Sequence, residues 1–310
     1  MGQSHITLLS VSLLALGLSQ TAHAAPLVVV DGSKDAAYGA PLAVQTNTTG
    51  FGDSTSGTQF ANGSEIDAAY GVIYNGRLYL LLAGNLESNF NKLDIFIDSQ
   101  SGGMNRLTPI ANNQGNFNRM ADDGSGNGLT FDAGFTADHW ISVTGGGATP
   151  DIFVDYGNLV TAGNGFFSGQ TTPLNGTLIN GNGGPTILAT WNNVNAPGGT
   201  APLGGITNLT APNDAALVTT GVEVSIALAD IGDPSGNIVV SAFVNGSSQD
   251  FLSNQVAGPL VLGTGNLGEP RNVNFNNQAG LQQFVVPAVP EPASIGLLGL
   301  IGLVGLRRKR

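Results

Sequence analysis

No cysteine occurs anywhere in the 310 residues. That excludes disulfides, thiol nucleophiles and cysteine-ligated zinc, and leaves core burial and sheet hydrogen bonds to stabilise the fold. Charge is scarce too, at 10% of residues, and basic charge scarcest. Residues 25–289 carry six Lys and Arg against 20 Asp and Glu, a net charge of about −14. A surface that acidic repels nucleic acid and anionic lipid, and favours cations, or neutral and basic partners. The same span holds one histidine, His139, and two tryptophans, Trp140 and Trp191. A Ser-His-Asp triad would have to use His139, yet no Gly-x-Ser-x-Gly elbow supplies its nucleophile, and a typical zinc site lacks its second His. His139, beside Trp140 at a strand start, reads as a surface or boundary residue. Nothing singles out two carboxylates as a glycoside-cleaving pair. The expectation is a non-catalytic protein.

Glycine, by contrast, is abundant, with 46 residues. Helical periodicity is rare, and short period-2 runs separated by turn residues take its place. Strands are expected at 26–30, 68–74, 78–84, 92–98, 140–144, 151–156, 186–191, 221–228, 237–244 and 282–286. Asn75-Gly76, between VIY and RLYLLLAG, is a hairpin signal, since Asn-Gly supplies the positive φ angles of a type I′ turn. Many strands without βαβ alternation predict an all-β, single jelly-roll-like β-sandwich over residues 25–286. Stretches 157–185 and 195–216, rich in Gly, Asn, Thr and Pro, read as long loops. The absence of a repeat of 20–50 residues argues against a solenoid, and so against an ice-binding β-helix.

The two ends are processing segments. Residues 1–24 have an apolar run from Ile6 to Leu18 and a small-x-small site at Ala22-His23-Ala24. They read as a secretory signal peptide cleaved between Ala24 and Ala25. At the other end, within 287–310, Pro290-Glu291-Pro292 precedes 13 uncharged residues, Ser294 to Leu306, and then Arg307, Arg308, Lys309 and Arg310. As a helix those 13 residues span about 20 Å, short of a hydrocarbon core of about 30 Å. The basic end holds the terminus in the cytoplasm. This tail resembles the PEP-CTERM sorting signal of Gram-negative bacteria that make exopolysaccharide. The resemblance implies an exosortase-type partner, transient anchoring in the inner membrane, cleavage near Pro-Glu-Pro, and release to the cell surface or extracellular matrix.

Three stretches of the body, VVVDGSKDAAYGAP, RLYLLLAGN and GVEVSIALADIG, resemble carbohydrate-binding module family 9 and DOMON-like sandwiches. Ala227 stands where their late strand prefers Pro. The resemblance implies a jelly-roll-like sandwich and glycan binding, with Trp140 and Trp191 as the aromatics that would flank a sugar; the destination that the tail implies makes exopolysaccharide the expected partner. The competing class is a structural or adhesive matrix protein assembled with calcium.

Two patterns bear on calcium. DIFID (94–98) and DIFVD (151–155) each put two Asp and the central Phe on one strand face. If those strands were neighbours, Asp94, Asp98, Asp151 and Asp155 would converge, and a divalent cation would relieve their repulsion. The plainer reading is two amphipathic strands whose acids face water. In DGSGNG, Asp123, Ser125 and Asn127 fall at positions 1, 3 and 5 of a calcium loop, but Gly134 stands where the bidentate acid belongs. A Gly/Asp turn bonded to its own backbone is the alternative.

Overall fold

A computed structural model describes residues 27–49, 51, 63–147, 151–160, 163–172, 178–179, 181–193 and 212–288. Both Ala24 and Ala25 of the signal site, and Pro290 to Arg310 of the tail, lie outside the described residues. The fold is an all-β sandwich of two antiparallel sheets. The first sheet contains β1 (Ala43–Val44), β2 (Glu65–Tyr74), β3 (Arg77–Asn85), β8 (Leu178–Ile179), β9 (Ile187–Trp191) and β10 (Gly221–Ala227), in the order β1-β2-β3-β10-β9-β8. The second contains β4 (Asn89–Asp98), β5 (His139–Gly146), β6 (Asp151–Asn158), β7 (Gly165–Thr171), β11 (Ile238–Asn245), β12 (Leu252–Val256) and β13 (Phe284–Val286). Its order is β12-β11-β4-β5-β6-β7, with β13 also paired to β11. Strands β4 to β7 run as a meander, and the chain crosses between sheets after β3, β7 and β10.

Period-2 alternation builds the central core. Leu93, Ile95 and Ile97 of β4 meet Ile141 and Val143 of β5 and Val222, Val224 and Ile226 of β10 in one buried cluster. The Asn75-Gly76 hairpin forms as read, with φ of 47° and 73° joining β2 to β3.

Both outer faces are covered as well. On the second sheet, Phe96, Trp140 and Phe243 belong to another cluster, with Phe117, Phe131, Phe135 and Phe275 from the segments that follow β4 and β12. On the first sheet, Tyr70 and Leu81 lie under Val28, Val30, Tyr38, Ala215 and Val218. The molecule is therefore a sandwich with a loop layer on each side.

Two expectations from the sequence are corrected here. Residues 27–30 are not a strand: Val28 and Val30 are buried, but the Val29 N–H donates to Asp35 Oδ2 at 2.7 Å, a side chain in place of a ladder. Residues 157–185 are not one loop, for β7 and β8 lie within them. β7 carries Gly165 and Gly169, and the register shifts opposite Val154/Asp155, so its pattern does not alternate cleanly.

The two sheets meet closely at Gly145, where a Cβ would collide with the Trp191 ring. Gly145→Ala is expected to lower stability by about 1–3 kcal/mol through overpacking. Urea denaturation checks this, and unchanged stability would mean that the Trp191 ring does not seat on Gly145.

Candidate functional site

The two tryptophans do not reach solvent. Trp140 is fully buried against Phe117, ring centroids 5.1 Å apart, and its Nε1–H donates to Asp94 Oδ1 at 3.0 Å. Trp191 lies in the central core. Neither can stack on a sugar in this fold, which corrects their expected role. The reason is that both faces of the second sheet are covered, so the outward-pointing Trp140 is as buried as a core residue.

His139 is also buried rather than at a boundary. Its Nδ1 lies 2.8 Å from the Tyr156 hydroxyl and its Nε2 3.1 Å from Gln100 Nε2. The Gln100 amide donates to Nε2, which leaves the ring proton on Nδ1, pointing at Tyr156. Burial lowers its pKa to about 4, so the ring is neutral.

The four aspartates of the DIF repeats are not brought together. β5 lies between β4 and β6, which places those strands about 10 Å apart. Asp94 and Asp155 share a cross-strand row with Ser142 between them, whereas Asp151 pairs with Gly146 and Asp98 accepts the Thr136 N–H at 3.0 Å. Nor do Asp94 and Asp155 face water. Asp94 accepts from Trp140, from Gln249 Nε2 at 2.7 Å and from Asn245 Nδ2 at 3.3 Å. Burial still lifts its pKa to about 6, against the pull of Trp140, Ser142, Lys92 and Asn245. Among the described residues no three His, Asp or Glu are grouped to hold a metal ion.

The Asp123 loop takes the geometry of a bonded turn. Asp122 Oδ1 accepts the N–H groups of Gly124 and Gly126 at 2.8 and 3.0 Å, and Asp123 Oδ1 accepts that of Ser125 at 3.1 Å. The Asn127 N–H donates to Ser125 Oγ at 3.3 Å. Arg106 stands 3.6 Å from Asp122 and Arg271 3.7 Å from Asp123. Two guanidinium groups thus occupy the charge a cation would meet.

Sequence reasoning missed Glu223, whose signal was an acid in the middle of an apolar strand. It is fully buried on the outer face of β10, where Oε2 accepts the N–H groups of Asp31 and Gly32 at 2.9 and 2.8 Å and Oε1 accepts the Tyr38 hydroxyl at 2.6 Å. Two stretches that resembled the binding modules, 28–41 and 221–232, are thus clasped by one carboxylate. The bond is structural. Burial raises the Glu223 pKa to about 7.

Among the described residues, two open clefts lie elsewhere, on the layer over the second sheet. One cleft of about 450 Å³ is lined by Asn113, Asn116, Asn118, Arg119, Ser248 and Arg271. A second, of about 310 Å³, lies on the other side of Arg271, with Arg106, Asn127, Thr130, Asn272 and Asn274 in its wall. Three of the six basic residues of 25–289 gather here, and each is met by an acid. Arg119 grips Glu269 through both oxygens, at 2.8 and 2.5 Å. Arg271 is anchored by the carbonyls of Ala121 and Asn118. Amides, hydroxyls and neutralised guanidinium groups make a site for hydrogen bonding to polar, uncharged matter.

Fold and cleft describe a β-sandwich with a polar, Asn-rich surface site, and the tail adds its destination. Residues 288–310 match the PEP-CTERM protein-sorting motif. The chain is by that motif an exported, surface-directed substrate of an exosortase-type enzyme. No curated protein and no solved structure matches it. Among the described residues no helix is long and apolar enough to cross a membrane.

The Glu223 clasp has a testable pH signature. Its folded pKa lies above its ordinary value, so the folded state holds the proton more tightly, and this contribution to stability is lost as pH rises from about 4.5 through about 7. Asp94 acts with the same sign between about 4 and 6, and neutral His139 with the opposite sign between about 4 and 6.5. The difference between wild type and Glu223→Gln isolates the clasp. The variant is expected to gain stability relative to wild type across that window in denaturant titrations, and parallel pH profiles would overturn the assignment.

Proposed function

We propose that the protein is a non-catalytic binder of extracellular polysaccharide, sorted by the exosortase-type system to the surface or exopolysaccharide matrix of a Gram-negative bacterium after transient anchoring in the inner membrane. The observation that carries the binding role is the pair of Asn-lined clefts flanking Arg271 on an otherwise strongly acidic molecule. A neutral polyhydroxylated ligand is suited by side-chain amides, which both donate and accept, and by arginines whose charge is already balanced. The tail supports the reading from another direction, since it directs the protein to the cell surface, where a polysaccharide ligand would be met.

Affinity electrophoresis through gels containing soluble β-glucan, xylan or galactomannan tests the role. Ser248→Trp fills the larger cleft, and Asn127→Ala with Asn272→Ala strips amides from the smaller. Each is expected to weaken retention about tenfold, which corresponds to about 1.4 kcal/mol. Retention is expected to be equal in calcium and in EDTA, because the Asp122-Asp123 turn is already engaged by Arg106 and Arg271. No retention of the wild-type protein in any gel would sink the reading, and calcium-dependent self-association would favour a matrix-assembly role instead.

A further inference from the structure

Phe90 combines two properties that its packing does not explain. Its φ is +69°, a conformation costly for a bulky side chain, and the residue is 47% exposed. The surroundings are built to hold it there. Gly146 leaves room for the ring, since a Cβ at that position would strike it. The Thr144 hydroxyl lies 2.8 Å from the carbonyls of both Phe90 and Asn91, fixing the turn into β4. A strained backbone stabilised by neighbours, presenting an aromatic ring to solvent, is the arrangement expected of a contact surface.

The sheet register places polar groups around that ring. Asp151 pairs with Gly146, so its side chain rises on the same face, beside the ring. Phe153, half-buried, pairs with Thr144 and with the exposed Gln170, which continues the strip outward. The larger cleft lies on this face too. Its wall includes Asn116, and the adjoining Gly115 lies against Asp155, which is four residues along β6 from Asp151, roughly 13 Å. Ser248 of the same cleft belongs to the β11–β12 turn, at the end of the sheet where Lys92, two residues after Phe90, pairs with Asn245.

We infer that Phe90 is a stacking platform for one sugar ring of an extended, neutral polysaccharide chain that also reaches the larger cleft, passing over the half-buried Asp151 and Phe153 of β6. The inference rests on the polysaccharide reading and adds a site, a ligand geometry and a direction to it. The ring supplies the apolar face that a pyranose requires, and Asp151 supplies a hydrogen-bond partner at its edge.

The test uses the purified protein in the same β-glucan, xylan and galactomannan gels, with thermal melting of every variant. Phe90→Ala is expected to weaken retention at least tenfold, and Phe90→Trp to preserve it. Phe90→Gly is expected to lose retention while melting no lower than wild type, because glycine accepts the positive φ without strain. A lowered melting temperature for Phe90→Gly would assign the ring to packing and overturn the platform. Wild-type retention by Phe90→Ala together with loss in Ser248→Trp would also overturn it, leaving the cleft in place. Loss in Phe90→Ala with Ser248→Trp unaffected would uphold the platform and remove the cleft. Wild-type protein retained by none of the three polysaccharides would overturn both.

Discussion

Buried carboxylates hold this fold together where another exported protein would use disulfides. Each loop layer has to be fastened to a sheet, and the loops' main-chain N–H groups have to be satisfied away from water. Glu223 fastens the N-terminal segment through Asp31, Gly32 and Tyr38. On the other side, Asp138 accepts the N–H groups of Ser99 and Gln100, both at 2.8 Å, and Asp132 accepts that of Gln282 at 2.7 Å. Each of these acids has its pKa raised, with burial as the largest cause. The structure trades some desolvation cost for loops held in one place.

This explains why an acid-rich composition misleads when it is read as surface charge alone. Asp94, Asp138 and Glu223 are fully buried, and Asp132 and Asp155 nearly so. Their work is internal. The basic residues show the complementary economy: Arg106, Arg119 and Arg271 are each paired with an acid around one pair of clefts. The result is a locally balanced surface on a molecule whose overall charge is strongly negative.

Much of the central sandwich was legible in the sequence. The alternation in 92–98 and 221–228 reports one face turned to a core, and Asn75-Gly76 reports its hairpin directly. The outer layers were less legible because a strand buried on both faces no longer alternates between apolar and polar. The DIFID run held the clue, since Phe96 points away from Ile95 and Ile97 and a second apolar face needs its own cover. The burial of Trp140 is hidden for the same reason: its partner Phe117 comes from a segment with no strand signal at all. The cleft residues were harder still. Asn113, Asn116 and Asn118 are common loop residues, and only the fold brings them to Ser248 and Arg271.

The last hydrogen bond of the body carries a consequence for how the protein is handled in the cell. The N–H of Ala288 donates to Asn237 Oδ1 at 3.0 Å, just after β13 has closed on β11. The sorting motif begins at that same residue, and only Val289 separates it from Pro290. No spacer therefore stands between address and cargo. The first residue of the address is thus also a hydrogen-bonded residue of the folded body, so the two cannot be exchanged independently at that point.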